Sequence, residues 1–258
     1  MISDYFIKIE KYWFDDNFSL YNEYGEYGLL LYCSILQGKT IRDYCKFNIY
    51  SDLYNLLGYN SNSNRTQMNR FNSIFSKMVL DGVFEIYDNN DNSITGNIKL
   101  NNNNYKIYVN DNVPNIPKDK TILFFAITDD NFKKVLTYKD QSINIIKLFA
   151  YYCYISYITN VQDDYCKKSI DLISANIGIS KTTVINYNKI LSDDLGLIEI
   201  VSTGFDAKNL KEETNLYCLV EKFGNVKDKI EKAYGNYETL KLQKKERDLK
   251  RSIKLANK

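Results

Sequence analysis

Much of this sequence is written twice, and that restricts the chain to two copies of one small unit. Asp15-Asp16-Asn17-Phe18 returns as Asp129-Asp130-Asn131-Phe132, 114 positions later. At the same offset the apolar run Leu29 to Leu36 falls on Ile143 to Ala150. Gly82-Val83-Phe84-Glu85-Ile86 likewise falls on Gly196-Leu197-Ile198-Glu199-Ile200. Between these anchors Gly58 and Gly178 lie 120 apart, so intervening loops differ in length and then compensate. Three blocks in register point to a structural duplication.

The clearest single segment is residues 169–201. Ile170, Ile173 and Ile177 recur at spacings of three and four, which lays one apolar face along a short helix. Gly178 follows where the chain must turn sharply, and glycine takes positive φ without penalty. Ser180 is a good N-cap for a second helix whose inward stripe is Val184, Tyr187 and Leu191. Leu195 to Ile200 then stop that helix and alternate into a strand. The order resembles a helix-turn-helix followed by the start of a wing, and so a winged helix. In such domains the second helix enters the DNA major groove. Its outward face here carries Lys181, Thr182, Thr183, Asn186 and Lys189, cations for phosphates and side-chain donors for base edges.

The first half reads in parallel. Lead-in segments Tyr5 to Phe14 and Thr121 to Ile127 precede apolar helices near Tyr24 to Gln37 and Ser142 to Tyr157. A helix near Ser51 to Leu57 and a long turn, Tyr59 to Asn64, lead to a recognition-type helix at about Arg65 to Leu80. Met68, Phe71, Phe75 and Met78 point inward, leaving Arg65, Gln67, Asn69, Arg70, Asn72 and Lys77 outside. Strands are expected near Val83 to Tyr87, Ser93 to Leu100 and Tyr105 to Val109, with turns at Asn89 to Asp91 and Asn101 to Asn104. The matching strands in the second half are Leu197 to Ser202 and Asn215 to Val220. Between them Thr203 to Thr214 forms a wing loop bearing Lys208 and Lys211. Asp88 and Asp91 at the first wing tip would repel phosphate, so the halves are not expected to touch DNA alike.

The predicted fold is mainly α with small β hairpins (α+β), as two tandem winged helix-turn-helix domains and a basic C-terminal helical tail. The boundaries are residues 1–110, a linker at 111–120 containing Pro114 and Pro117, a second domain at 121–222, and the tail at 223–258. Net charge is only +2, yet from Asn225 onward 11 Lys and Arg face 5 Asp and Glu. That leaves −4 on the other 224 residues, and a basic tail on an acidic body points to an anionic partner. Its candidates for phosphate contact are Lys244, Lys245, Arg247, Lys250 and Arg251.

Several function classes find no support. With 0 His there is no His-based nucleophile–base arrangement, and the five scattered cysteines have no zinc spacing. No phosphate-binding glycine motif is present, so no cofactor is expected. The acidic pairs Asp15/Asp16 and Asp129/Asp130 precede helix patterns and are better read as capping and turn residues. The reading is not an enzyme. No apolar run is long enough for a membrane span, and the N-terminus lacks a signal-peptide pattern, which favours free thiols in the cytoplasm.

Two winged helices in tandem, each led in by an aromatic segment such as Tyr5 to Tyr12, look like a bacterial plasmid or phage replication initiator. The resemblance covers Tyr5 to about Val220. It implies double-stranded DNA as the partner, at repeated origin sites, and recruitment of host replication proteins. A transcriptional regulator and a protein-interaction or assembly module are the alternatives, and a homodimer is left open.

Overall fold

The computed structural model describes residues 6–15, 19–39, 43–58, 65–95, 98, 100, 105–110, 124–162, 164–202 and 214–256. The chain is mainly helical with small sheets, and it divides into two compact units, residues 1–153 and 154–258. The division falls inside one helix.

The first unit begins with β1 (Phe6–Glu10) and α1 (Leu20–Gln37), which breaks at Gly25. The Ser19 hydroxyl caps α1 by accepting from the Asn22 amide. Next come β2 (Tyr44–Cys45), a π-helical turn (Ile49–Tyr54) and α2 (Asn55–Leu57), which ends on Gly58 at φ 67°. Then follow α3 (Arg65–Leu80), β3 (Phe84–Tyr87) and β4 (Lys106–Val109). Strand β5 (Phe124–Thr128) and α4 (Asp129–Leu136) lead into α5 (Ile145–Val161). Thr128, not an aspartate, is the α4 cap. Its hydroxyl accepts from the Asn131 amide (3.1 Å), and Asp129 and Asp130 occupy the first turn, where the helix dipole favours negative charge.

The two lead-in segments are strands and pair with each other, an antiparallel ribbon with Phe6 opposite Thr128 and Glu10 opposite Phe124. Alternation buries Ile7, Ile9, Phe125 and Ile127 on one face. Reading each half as self-contained does not reveal that pairing. The core beneath is aromatic, with Trp13 against Tyr32 (5.0 Å between ring centres), Phe75 against Phe84 (5.4 Å) and Phe132 against Phe149 (5.2 Å). All six rings are buried, and burying each contributes roughly 1.5–3 kcal/mol.

The second unit continues with β6 (Tyr165–Lys168), α6 (Ile170–Ile177), α7 (Lys181–Lys189), β7 (Ile198–Ser202) and β8 (Asn215–Leu219). It closes with α8 (Val220–Tyr234) and α9 (Tyr237–Ala256). Its sheet has the order β6-β8-β7, and the first unit's has the order β2-β4-β3. Both succeed a long helix, enclose two shorter ones and are antiparallel throughout.

Strands β2 and β6 are absent from the sequence reading. Both begin within Asp-Tyr-Cys-Lys, at 43–46 and 164–167, an identical tetrapeptide that the 114 offset passes over. Asp43 and Asp164 both take positive φ (61° and 72°), a conformation that aspartate tolerates better than most residues.

The expected strand over 93–100 does not form among the described residues. Asp91 at φ 63° closes a tight turn over 88–92, and the chain returns only as far as an Ile94 amide bond to Ile86 oxygen (2.8 Å). Ile98 and Leu100 are instead buried, and their amides donate to Ser76 Oγ and Asn72 Oδ1 on α3. Strand β3 therefore pairs directly with β4.

The C-terminal segment is two helices separated at Gly235 (φ 102°), and it forms part of the second unit's core. Val226 and Ile230 of α8 and Tyr237 and Leu240 of α9 pack with Val201, Leu216 and Cys218 of the sheet. No described helix is long and apolar enough to cross a membrane. The five cysteines are free and buried. Residues 59–64, 111–120 and 203–213, which include the long turn, the linker and the wing loop, lie outside the described residues.

Candidate functional site

The site is built around α7. Ser169 caps α6 by accepting from the Leu172 amide, and Gly178 ends it at φ 64°. The Ser174 hydroxyl donates to Ile179 oxygen (2.5 Å), pinning the turn. Ser180 Oγ then accepts from the Thr183 amide (3.1 Å) and caps α7. Val184, Tyr187 and Asn188 are buried. A π-helical turn, Ile190–Asp194, carries the chain to Gly196 (φ 59°) and the strand beyond.

On the opposite side of α7, Lys181, Thr182, Asn186 and Lys189 are exposed. Thr183 is half-buried, and its hydroxyl lies 2.8 Å from that of Ser180. Lys181 reaches Asp171 of α6 (2.6 Å), while Lys189 has no ion pair among the described residues. Ile185, which the sequence reading passes over, is 42% exposed on this side. These side chains form one convex polar strip with an aliphatic centre.

Beneath α7 lies a buried polar network that sequence reasoning did not find. Asn188 and Asn215 both donate to the Tyr217 hydroxyl (3.3 and 3.1 Å), and Arg247 of α9 donates to Asn215 Oδ1. Burial raises the Tyr217 phenol above its usual range, against the opposing effect of those two amide donors. A 3.6-residue period assigns Asn188 to a flank of α7, and only the strand partner shows why an amide is buried there.

The first unit's counterpart, α3, is arranged differently. Met68, Phe71, Phe75 and Met78 are buried as expected, and Arg65 and Asn69 are exposed. Arg70 lies 3.8 Å from Glu26 and 4.1 Å over the Tyr27 ring, both on α1. Lys77 is held by Glu23 and by Asp81 (2.8 Å) and lies 4.8 Å over Tyr24. Desolvation pulls the Lys77 pKa down, but hydrogen bonds to Asp81 and Glu23 outweigh it and raise the value. Gln67 is half-buried, its Oε1 buried with no hydrogen-bond partner among the described residues, and Asn72 holds the Leu100 amide.

The C-terminal candidates are likewise divided. Lys245 and Lys250 are exposed, Lys244 pairs with Asp248 (2.8 Å), and Arg247 is turned toward the sheet. Arg251 lies in α9, and Lys208 and Lys211 fall outside the described residues. The fold thus brings Lys181, Thr182, Asn186 and Lys189 together on one helix face.

No protein-family model matches this sequence, and no match is found among curated proteins or solved structures.

Proposed function

We propose that this chain is a sequence-specific double-stranded DNA-binding protein built on two tandem winged helices, with α7 as the principal reading helix. The observation that carries the reading is α7 itself. It is capped by Ser180, buried along Val184 and Tyr187, and open along Lys181, Thr182, Asn186 and Lys189. The succession helix, strand, helix, helix, strand, strand in both units, with the first strand beside the last, supports the winged-helix reading. Lysines on the open face release counterions from phosphates, and Thr182 and Asn186 supply hydrogen bonds to base edges. Two units on one chain make the contacts bivalent, so two weak half-contacts combine. The role that best fits a duplicated reader is a plasmid or phage replication initiator that binds origin repeats and recruits host replication proteins. A transcriptional regulator would use the same face on an operator.

The first unit supports a different emphasis. Its cations Arg70 and Lys77 are already held by α1 carboxylates, so its share of the phosphate contact is the weaker of the two.

Fluorescence anisotropy of the full chain against AT-rich and mixed duplexes, across a salt series, tests this reading. Binding should weaken linearly on a log–log plot, with a slope of about −0.9 per phosphate neutralised. No binding to any duplex at low salt would remove both DNA roles and turn the search to protein partners.

A further inference from the structure

Helices α3 and α7 begin 116 residues apart, at Arg65 and Lys181, and they bury matching positions. Met68 and Phe71 of the first unit fall on Val184 and Tyr187 of the second, all four buried. Asn72 falls on Asn188, and each amide ties its helix to the chain beyond. Asn72 Oδ1 accepts from the Leu100 amide (3.1 Å), and Asn188 donates to the Tyr217 hydroxyl (3.3 Å). The outward positions then match as Arg65 with Lys181, Thr66 with Thr182, Asn69 with Ile185 and Arg70 with Asn186.

At one of these places the residue changes in kind. Ile185 is 42% exposed, and its counterpart Asn69 is exposed too. The fold needs no aliphatic side chain there, since the first unit builds the same helix with an amide. Isoleucine is also a poorer helix former than the long polar residues that commonly fill outward positions. Its apolar surface contributes little to the core beneath α7, and a contact from outside the chain would remove it from water.

The neighbours of Ile185 narrow what that contact is. Lys181 lies one turn before it, Lys189 one turn after, Thr182 three residues before and Asn186 next to it, and all four are exposed. Lys181 is engaged by Asp171 (2.6 Å), which leaves Lys189 as the cation of the group without an ion pair among the described residues. Ile185 is the only large apolar side chain exposed on α7 among the described residues. A protein partner is usually met by a cluster of apolar anchors, not by one aliphatic group among donors and cations. The major-groove edge of an A·T pair matches the arrangement better. Thymine alone of the four bases presents a methyl group there, beside hydrogen-bonding atoms and flanked by phosphates.

Resting on the reading of α7 as the DNA-reading helix, we propose that Ile185 sets sequence preference by packing on a thymine 5-methyl group in the major groove. Asn186 takes the adenine of a neighbouring pair through its N6 and N7 edge. The second unit thereby selects A·T pairs at a fixed place in its site. The first unit, with Asn69 at the matching position, does not make the methyl contact.

The test starts from a pool of duplexes with a randomised centre, from which the full chain selects its site at low salt. Anisotropy titrations then replace each thymine of the selected duplex by uracil, which deletes the 5-methyl group and keeps the base pair. At one or two thymines the unaltered chain should lose about fourfold in affinity, the worth of one buried methyl-sized group. Ile185→Ala should lose about as much on the thymine duplex, and so should Ile185→Asn, each with circular dichroism unchanged. The protein and base losses should not add, because each deletes one side of the same contact. A selected site without a recurrent A·T pair overturns the assignment of Ile185 and leaves α7 as the reading helix. So does uracil tolerated at every thymine, or losses that add. Selection that enriches no duplex overturns the DNA reading itself, and this proposal with it.

Discussion

Helices α3 and α7 occupy the same place in the two units, yet their neighbours treat them differently. On α3, Arg70 and Lys77 are taken up by Glu26, Glu23 and Asp81, and residues 98–100 fold back onto Asn72 and Ser76. On α7, the polar strip from Lys181 to Lys189 stays exposed, and among the described residues only Lys181 has an ion pair. The reverse holds on the far side of each sheet, where the second unit is covered by α8 and α9 and no described element of the first unit covers its own. One scaffold therefore presents a helix in one copy and a sheet in the other. Which surface a duplicated unit exposes depends on what its flanking chain covers.

The largest expected effects concern the buried thiols at matching register. Burial pushes the Cys45 thiol up to about 12 and the Cys166 thiol up to about 11. Since the thiolate is the reactive form, both should react with a disulfide reagent at pH 8 more than about a hundredfold slower in the folded chain than in urea. Fast reaction of one alone would show that one sheet opens locally.

Next in size is the covering of the second sheet. Tyr237→Ala should cost about 3 kcal/mol, because it empties a buried aromatic site that joins both C-terminal helices to the sheet. Tyr108→Ala, half-buried between the Tyr44 and Tyr87 rings, should cost less, about 1–2 kcal/mol. Urea unfolding of the two variants checks this, and equal costs would break the comparison.

The turn glycines should behave alike. Gly58 and Gly178 have φ of 67° and 64° and no atom within 4 Å of an added Cβ, so alanine at either pays only for the left-handed backbone. Each substitution should cost about 1 kcal/mol in the same unfolding measurement.

The smallest effect is in acid. Desolvation works to raise the Asp81 pKa, but hydrogen bonds from Lys77 and Tyr24 overcome it and lower the value in the folded chain. A lowered carboxyl contributes stability that is present above its unfolded pKa and is lost as pH falls through the folded one. Asp81 is 41% exposed on its side chain, so solvent screens the contribution. Unfolding of Asp81→Asn against pH should show a slightly shallower loss of stability below about pH 4.

Sequence pattern made the helices legible because their burial follows a 3.6-residue period: Met68, Phe71, Phe75 and Met78 are all buried, as are Val184 and Tyr187. The turn glycines were legible because positive φ leaves a residue signature. Strands β2 and β6 were not, being too short to show alternation, although the repeated Asp-Tyr-Cys-Lys marks both. The β1–β5 ribbon was hidden because pairing across more than 100 residues leaves no local trace. At the site, the exposed strip of α7 could be read from periodicity alone. The uptake of Arg70 and Lys77 by α1 could not, since it depends on which helix lies beside α3.

The most direct test of the central claim compares two double variants by duplex anisotropy over a salt series. Lys181→Ala/Lys189→Ala should lower the log–log salt slope by about one, carried by Lys189 because Lys181 is already paired with Asp171, and Arg70→Ala/Lys77→Ala by much less, because both cations are held by Glu26, Glu23 and Asp81. Equal slopes for the two variants, or a larger loss from the first-unit pair, would contradict the assignment of α7 as the reading helix.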